Sequence, residues 1–374
     1  MFRLIVRLAI FLILPALVIA FPAWVLHSSG ELESDDAFLQ MRRESSPFLW
    51  GTAYSDMSGY QKLRTVQTEA PEIITLGTSR VAQFRDEFFK GRFFNAGSGW
   101  YQQFDDLLAF VRRIPAGGEP TLLIVGLDHK FFNARWTSRV DYPFDPRTRE
   151  RRWWPMVRAN WPAVYKDYFA GKFSIADLAR THTDGVRRIG LQAVARNRGY
   201  HEDGSYTWDW WDSYDGDLRE IANGEHVYVY GSGISDETMT ELETLLTECQ
   251  QRGIHVAGFL PPFAPRVYQA LEQRRAQYGY MFELPARLEP VFERLGGSFA
   301  DFTNPDRCDI ERDGFYDGQH ASSPAYRRLW RCWTEADPRL LRFSSSAADV
   351  ARRHETATRE EPLLGKSRQR ATRG

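Results

Sequence analysis

The run Glu72-Ile73-Ile74-Thr75-Leu76-Gly77-Thr78-Ser79-Arg80 decides the fold of this chain. A short, continuous apolar and β-branched stretch closed by glycine reads as a strand buried on both faces. The same design returns downstream. Arg92-Phe93-Phe94 ends at Asn95-Ala-Gly-Ser-Gly99, and Thr121-Leu-Leu-Ile-Val-Gly126 ends at Leu127-Asp128-His129. Ile254-His-Val-Ala-Gly-Phe-Leu260 stops at Pro261-Pro262, and Phe299-Ala-Asp301-Phe302 supplies a last strand. Stretches with helical spacing lie between them: residues 101–114, 235–252 with Ser235 as cap, 264–278 and 285–295. Thr78-Ser79-Arg80 itself leads into a helical stretch. Uniformly apolar strands alternating with helices predict an α/β domain, its parallel sheet covered on both faces.

Outside this frame the chain changes character. Arg3 and Arg7 precede an uncharged run from Leu8 to Leu26, and Glu31, Glu33, Asp35 and Asp36 follow it. About 19 apolar residues just cross a hydrocarbon core of about 30 Å. The flanking charges put the N-terminus in the cytoplasm and the rest outside. A cleaved signal peptide has a shorter apolar core and a small-residue site, where this chain has Phe21-Pro22. Residues 1–27 are therefore expected to be a transmembrane anchor and 28–70 a polar membrane-proximal stalk. The domain proper would cover 71–343, interrupted by a Trp- and Arg-rich insertion over about 131–232. The Ser-, Arg- and Glu-rich tail, 344–374, has little to bury and is expected to be disordered.

The 374 residues carry a formal net charge of -1, so no overall basic field exists to attract nucleic acid. No zinc-type Cys/His cluster and no phosphate-cradling loop is evident, so no metal or other cofactor is expected. Three cysteines are too few for a disulfide scaffold.

The polar residues that carry chemistry sit at strand ends, where ligands bind in open α/β sheets. Ser79 follows the first strand, Gly99 the second, Asp128 the third, and Asp317-Gly-Gln-His320 comes after the last. Asp317 and His320 are three residues apart, so one turn brings both side chains to one side. The Asp would fix the imidazole tautomer while the other ring nitrogen takes the Ser79 proton, which makes a weak hydroxyl a usable nucleophile. A helix N-terminus beside Ser79 and the Gly99 backbone N–H would hold the developing oxyanion.

On these residues the chain resembles the SGNH (GDSL-like) hydrolase superfamily. The likeness rests on Gly77-Thr-Ser79, the turn at 95–99, and Asp317-x-x-His320, in that order across about 250 residues. It implies a three-layer α/β/α domain with Ser79 as nucleophile, His320 as base, Asp317 as its orienter, and Ser79 and Gly99 as oxyanion donors. The third block of that pattern supplies an oxyanion Asn; here Asp128 stands in its place as the third oxyanion residue the resemblance implies, although a carboxylate donates only when protonated. Anchor plus exported domain is similar in architecture to polysaccharide O-acetylation and D-alanyl transfer proteins. Gly77–Val81, Ile124–Asp128 and Leu260–Phe263 resemble runs found in that branch. The resemblance implies acyl transfer to a cell-surface glycan beside a membrane-bound O-acyltransferase, at the outer face of a bacterial cytoplasmic membrane. Simple ester hydrolysis and a catalytically silent glycan-binding or assembly subunit are the alternatives.

Each residue also has a plainer reading. Ser79 alone is a helix N-cap, as Ser and Thr often are. Asp128 is either a strand-end cap or a group that tunes the site, and His129 is incidental. Arg80 either grips an anionic or sugar substrate or is structurally paired. The tryptophans of the insertion, among them Trp136, Trp153, Trp154, Trp161, Trp208, Trp210 and Trp211, either pack an accessory lobe, stack on sugar rings, or face the bilayer. Cys308 and Cys332 bracket His320 and either pair or remain buried thiols; Cys249 is packing.

Overall fold

The computed structural model describes residues 2–44, 47–54, 58–137, 153–183, 185–209 and 214–345. Elements are numbered in chain order. Those of the larger layer system are strands β2 (Ile73–Leu76), β3 (Phe93–Asn95), β4 (Leu122–Gly126), β9 (His255–Leu260) and β10 (Ser298–Asp301). Its helices are α3 (Ser58–Glu69), α4 (Phe104–Arg112), α7 (Asp215–Asn223), α8 (Asp236–Gln251), α9 (Pro265–Glu272), α10 (Gly279–Arg294), α11 (Ser323–Ala336) and α12 (Pro338–Leu341). The strands form one parallel sheet in the order β10-β9-β4-β2-β3.

The side-chain alternation of this sheet explains its sequence. Ile73, Leu122 and Ile124 point to one face, Ile74, Leu76, Leu123 and Val125 to the other, and all are buried. The first face packs against α9, α11 and α7 through Val267, Leu271, Leu329, Trp330, Trp333 and Ile221. The second packs against α3, α4, α8 and α10 through Val66, Leu107, Leu242 and Leu288. A strand with helices on both sides has no solvated face, so nothing in it is polar by default. Ser235 caps α8 by accepting from Thr238 N, as its sequence position suggests.

Two elements differ from expectation. Residues after Ser79 form a single 3-10 turn, Ser79–Val81, and no longer helix follows directly. The helix expected over 264–278 ends at Glu272, and the next begins at Gly279 and keeps Pro285 and Pro290 inside it.

Residues 28–70 are no stalk. Leu63 and Val66 of α3 belong to the apolar core beneath the parallel sheet. β1 (Phe48–Trp50) is the middle strand of a second sheet, order β5-β6-β1-β7-β8, with β5 (His182–Thr183), β6 (Val186–Ile189), β7 (Gly199–Tyr200) and β8 (Tyr206–Thr207). Buried Glu31 ties the region together by accepting from Ala53 N, Tyr54 N and Leu191 N. This sheet, with α1 (Phe2–Ser28), α2 (Asp35–Arg43), α5 (Trp153–Phe169) and α6 (Leu191–Arg196), makes a smaller lobe. The expected insertion is thus split: residues 153–209 build the lobe, while Tyr214, Ile221 and Tyr228 return to the main core.

The uncharged N-terminal run lies within one 27-residue helix, α1. Among the described residues no helix is long and apolar enough to cross a membrane; the side chains of residues 2–12, 14 and 15 are outside that set. Trp210, Trp211 and tail residues 346–374 also lie outside the described residues.

Candidate active site

Gly77 ends β2 with φ at 155°, a backbone conformation that favours glycine, and redirects the chain into the 3-10 turn. Val81, two residues past Ser79, fills the notch left by Gly97 and Gly126; a Cβ at either would collide with its methyl groups. The cap of this turn is Thr78, whose hydroxyl accepts from Arg80 N at 3.3 Å. Ser79 is therefore released from the capping role, and its hydroxyl faces elsewhere.

It faces His320. Ser79 Oγ lies 2.9 Å from His320 Nε2, and His320 Nδ1 lies 2.6 Å from Asp317 Oδ2. Asp317 Oδ1 accepts from the backbone N–H groups of Gln319 and His320, which closes the tight loop that the spacing requires. Burial alone would raise the Asp317 pKa; the imidazole and these N–H donors outweigh it, and the group sits below its usual range. An ionised carboxylate only accepts, so the ring proton sits on Nδ1, and Nε2 is the acceptor for the Ser79 hydroxyl. The chain of contacts is that of a serine nucleophile with its base and orienter.

Ser79 and Gly99 line one cleft of about 230 Å³. Neither backbone N–H has a hydrogen-bond partner among the described residues, and both remain candidates for the oxyanion. Because Ser79 opens only one 3-10 turn, no macrodipole of a longer helix adds to them. Asn95 shapes the second turn: its amide donates to Val81 O and Phe84 O, and its oxygen accepts from Gly97 N.

Two expectations for this site are corrected. Arg80 is not a substrate grip: it is 2% exposed and donates to Pro261 O, Pro262 O and Asp128, with its guanidinium over the Phe263 ring. Asp128 is not an oxyanion donor. Its Oδ2 accepts from the Thr78 hydroxyl at 2.9 Å and its Oδ1 from Arg80 at 3.3 Å. Burial would raise its pKa, but Arg80, Lys130 and the Thr78 hydroxyl hold it below the usual carboxylate range. Asp128 therefore grips the residues on both sides of Ser79. It holds the Ser79 turn in place and has no free oxygen to donate from. His129 is part of the same buried network, with Nε2 2.8 Å from Thr303 Oγ1.

Three positions that the sequence did not single out for the site complete it. Trp208, read there only as one of the tryptophans of the insertion, sets its ring 5.0 Å from that of His320. Asp217 of α7 accepts from Gly318 N at 3.1 Å and from the Tyr228 hydroxyl at 2.7 Å, and so braces the loop that carries Asp317 and His320. Buried Lys62 of α3 donates to Gly97 O and Gly204 O and links the second turn to the lobe. None has a local sequence signal, because each partner is distant in the chain. Cys308 and Cys332 are disulfide-bonded, which fixes the start of the His320 segment to α11, and Cys249 is a buried free thiol. Among the described residues no group of three or more His, Cys, Asp or Glu side chains is arranged to hold a metal ion. No protein-family model and no curated protein matches the chain.

Proposed function

We propose that the chain is a membrane-anchored, exported SGNH-like serine O-acyltransferase acting on cell-surface glycans, with ester hydrolysis as the same chemistry completed by water. The observation that carries it is the continuous path Ser79–His320–Asp317, at 2.9 and 2.6 Å. In the reaction, Ser79 Oγ attacks the acyl carbonyl and His320 Nε2 takes its proton. The carbonyl oxygen becomes an oxyanion facing the Ser79 and Gly99 N–H groups. Collapse expels the donor alcohol, which takes the proton back from His320 and leaves an acyl ester on Ser79. A second hydroxyl, from a sugar or from water, repeats the sequence in reverse and frees the serine. No step requires a metal or an organic cofactor.

The cleft supports a carbohydrate acceptor. Tyr200, Tyr206 and Trp208 line it together with Gln61, Gln192 and Arg198, and aromatic faces beside amide and guanidinium groups suit sugar C–H faces and hydroxyls. The position of Asp128 beneath the turn argues against a silent assembly subunit, because the departure from the Asn of the resemblance serves the framework. The anchor reading rests on the uncharged run Leu8–Leu26 and its flanking charges. A membrane-bound O-acyltransferase that delivers acyl groups from the cytoplasm is the partner this topology calls for.

The test uses the detergent-solubilised chain with a fluorophosphonate probe and an activated acetyl ester. Labelling and acetyl release are expected in the native chain and lost, by about 10⁴-fold or more, in Ser79→Ala with an unchanged circular dichroism spectrum. Equal inertness of both proteins would overturn the catalytic reading.

A further inference from the structure

We infer that the C-terminal end of α5 is a membrane-interface foot, inserted among the lipid headgroups and upper acyl chains beside α1. The inference rests on the anchor reading and goes beyond it, because it assigns a second element of the lobe to the bilayer.

The apolar stretch of α1 is short for a span. The uncharged run Leu8–Leu26 just spans a bilayer, yet Val25 and Leu26 are fully buried in the lobe against Val157, Val164 and Leu191 of its neighbours. Those residues cannot also face lipid. Among the described side chains of α1 the large apolar ones that are exposed are Ile13, Leu17, Val18 and Trp24. The bilayer surface must therefore rise to about Trp24, where an indole is at home at the headgroup level.

α5 then has no room to stay clear of it. The Tyr165 hydroxyl donates to Val18 O at 2.9 Å, and Phe21 packs on Tyr165 and Tyr168 with centroids 5.4 and 5.1 Å apart. Val18 is six residues before Trp24, about 9 Å deeper along the helix at 1.5 Å per residue. Phe169, stacked on Tyr165 at 6.1 Å, is 79% exposed, the most exposed large apolar side chain of the described residues. Beside Val18 and Phe21 it meets what they meet, and the solvent of α1 is the solvent of this end of α5. Exposed Lys166 lies on the same stretch, where a long cationic side chain reaches back to anionic headgroups.

The test is depth measurement on the full chain reconstituted in phosphatidylethanolamine/phosphatidylglycerol vesicles. A nitrobenzoxadiazole probe is attached at Phe169→Cys, at Leu17→Cys, which is 61% exposed on α1, and at Arg331→Cys, on the remote helix α11. The native cysteines are buried or paired and take no label. Loss of fluorescence with doxyl lipids at both Leu17→Cys and Phe169→Cys, and none at Arg331→Cys, is expected. Quenching at Leu17→Cys alone would overturn the foot and leave the anchor standing. Absence of quenching at Leu17→Cys would overturn the anchor, and the foot with it.

Discussion

The two sheets of this protein are built by opposite rules. In the parallel sheet every residue of β2, β4 and β3 is buried, both faces are covered, and the register runs unbroken from β2 through β4 to β9. In the lobe the strands are two to four residues long, parallel and antiparallel pairings mix, and three of the four β6 residues are only half-buried. The first sheet holds the Ser79 turn and the turn at 95–99 directly at its strand ends. The second supplies a wall of the cleft through Trp50, Tyr200 and Tyr206. On the proposed function the chemistry would sit where displacement is expensive, and substrate contact on the thinner shell of the lobe. Variants on the two sides should fail in different ways.

The largest effect belongs to the core side. Asp128→Ala leaves the Arg80 guanidinium, 2% exposed, without its carboxylate and removes the acceptor for Thr78. Breaking one partner of a buried pair costs about 3–5 kcal/mol, which urea unfolding would read directly. An Asp128→Ala protein as stable as the native one but inert would make Asp128 a reacting group and undo the framework role.

Next is Asp217, which braces the His320 loop from the far side of Gly318. Asp217→Ala should lower kcat by about 100-fold, since a shift of about 1 Å in a catalytic group costs that much, with KM little changed. Asp217→Asn, which keeps an acceptor for Gly318 N, should restore most of the rate. A loss shared equally between stability and KM, with no rescue by Asn, would reduce Asp217 to simple packing.

A third effect is smaller per unit of its variable and concerns pH. Burial, with the charge of Arg80, pushes the His129 imidazole down to about 3, while an unfolded histidine titrates near 6.5. Between those values the unfolded chain binds a proton that the folded chain does not. The stabilisation is therefore complete above about pH 6.5 and falls as pH drops, by at most about 1.4 kcal/mol per unit. Asp128 and Asp317, held below their usual range, lose their contributions in the same direction at more acid pH. Unfolding free energies from pH 7 to 4 should show the slope, and His129→Gln should flatten it. An unchanged slope in the variant would place the effect on other groups.

How much of this was readable in the chain follows the same division. Ile73–Leu76 and Leu122–Gly126 announce themselves because burial on both faces leaves a local, uniform composition. Ser79 and the Asp317–His320 pair are legible because a hydroxyl at a strand end and a two-member loop are short-range patterns. β1 was not: Phe48–Trp50 is too short for a period, and its parallel partner β6 begins at Val186. Glu31 reads in the sequence only as one of the acids after the uncharged run, because the three N–H groups it accepts from lie at 53, 54 and 191. Arg80 is left open in the sequence between a substrate grip and a structural partner because the prolyl carbonyls that claim it come 181 and 182 residues later. Residues whose roles are set by distant partners carry no trace of them locally, and the lobe consists largely of such residues.

Trp208 isolates the substrate side of the contrast. Its ring lies near both His320 and Tyr316, at 5.0 and 5.2 Å, yet it bonds to neither catalytic hydrogen-bond partner. If the lobe's role is to hold the acceptor, Trp208→Ala removes one stacking face worth about 0.5–1.5 kcal/mol. That predicts a rise of roughly 2- to 13-fold in KM for a glycan acceptor, with fluorophosphonate labelling of Ser79 unchanged. Trp208→Phe should recover part of it, since a smaller aromatic face remains. Steady-state transfer at varied acceptor concentration separates the outcomes. A fall in labelling rate with unaltered KM would move Trp208 to the core side, as a group that holds the His320 ring in place, and the division between a chemical sheet and a recognising lobe would have to be drawn elsewhere.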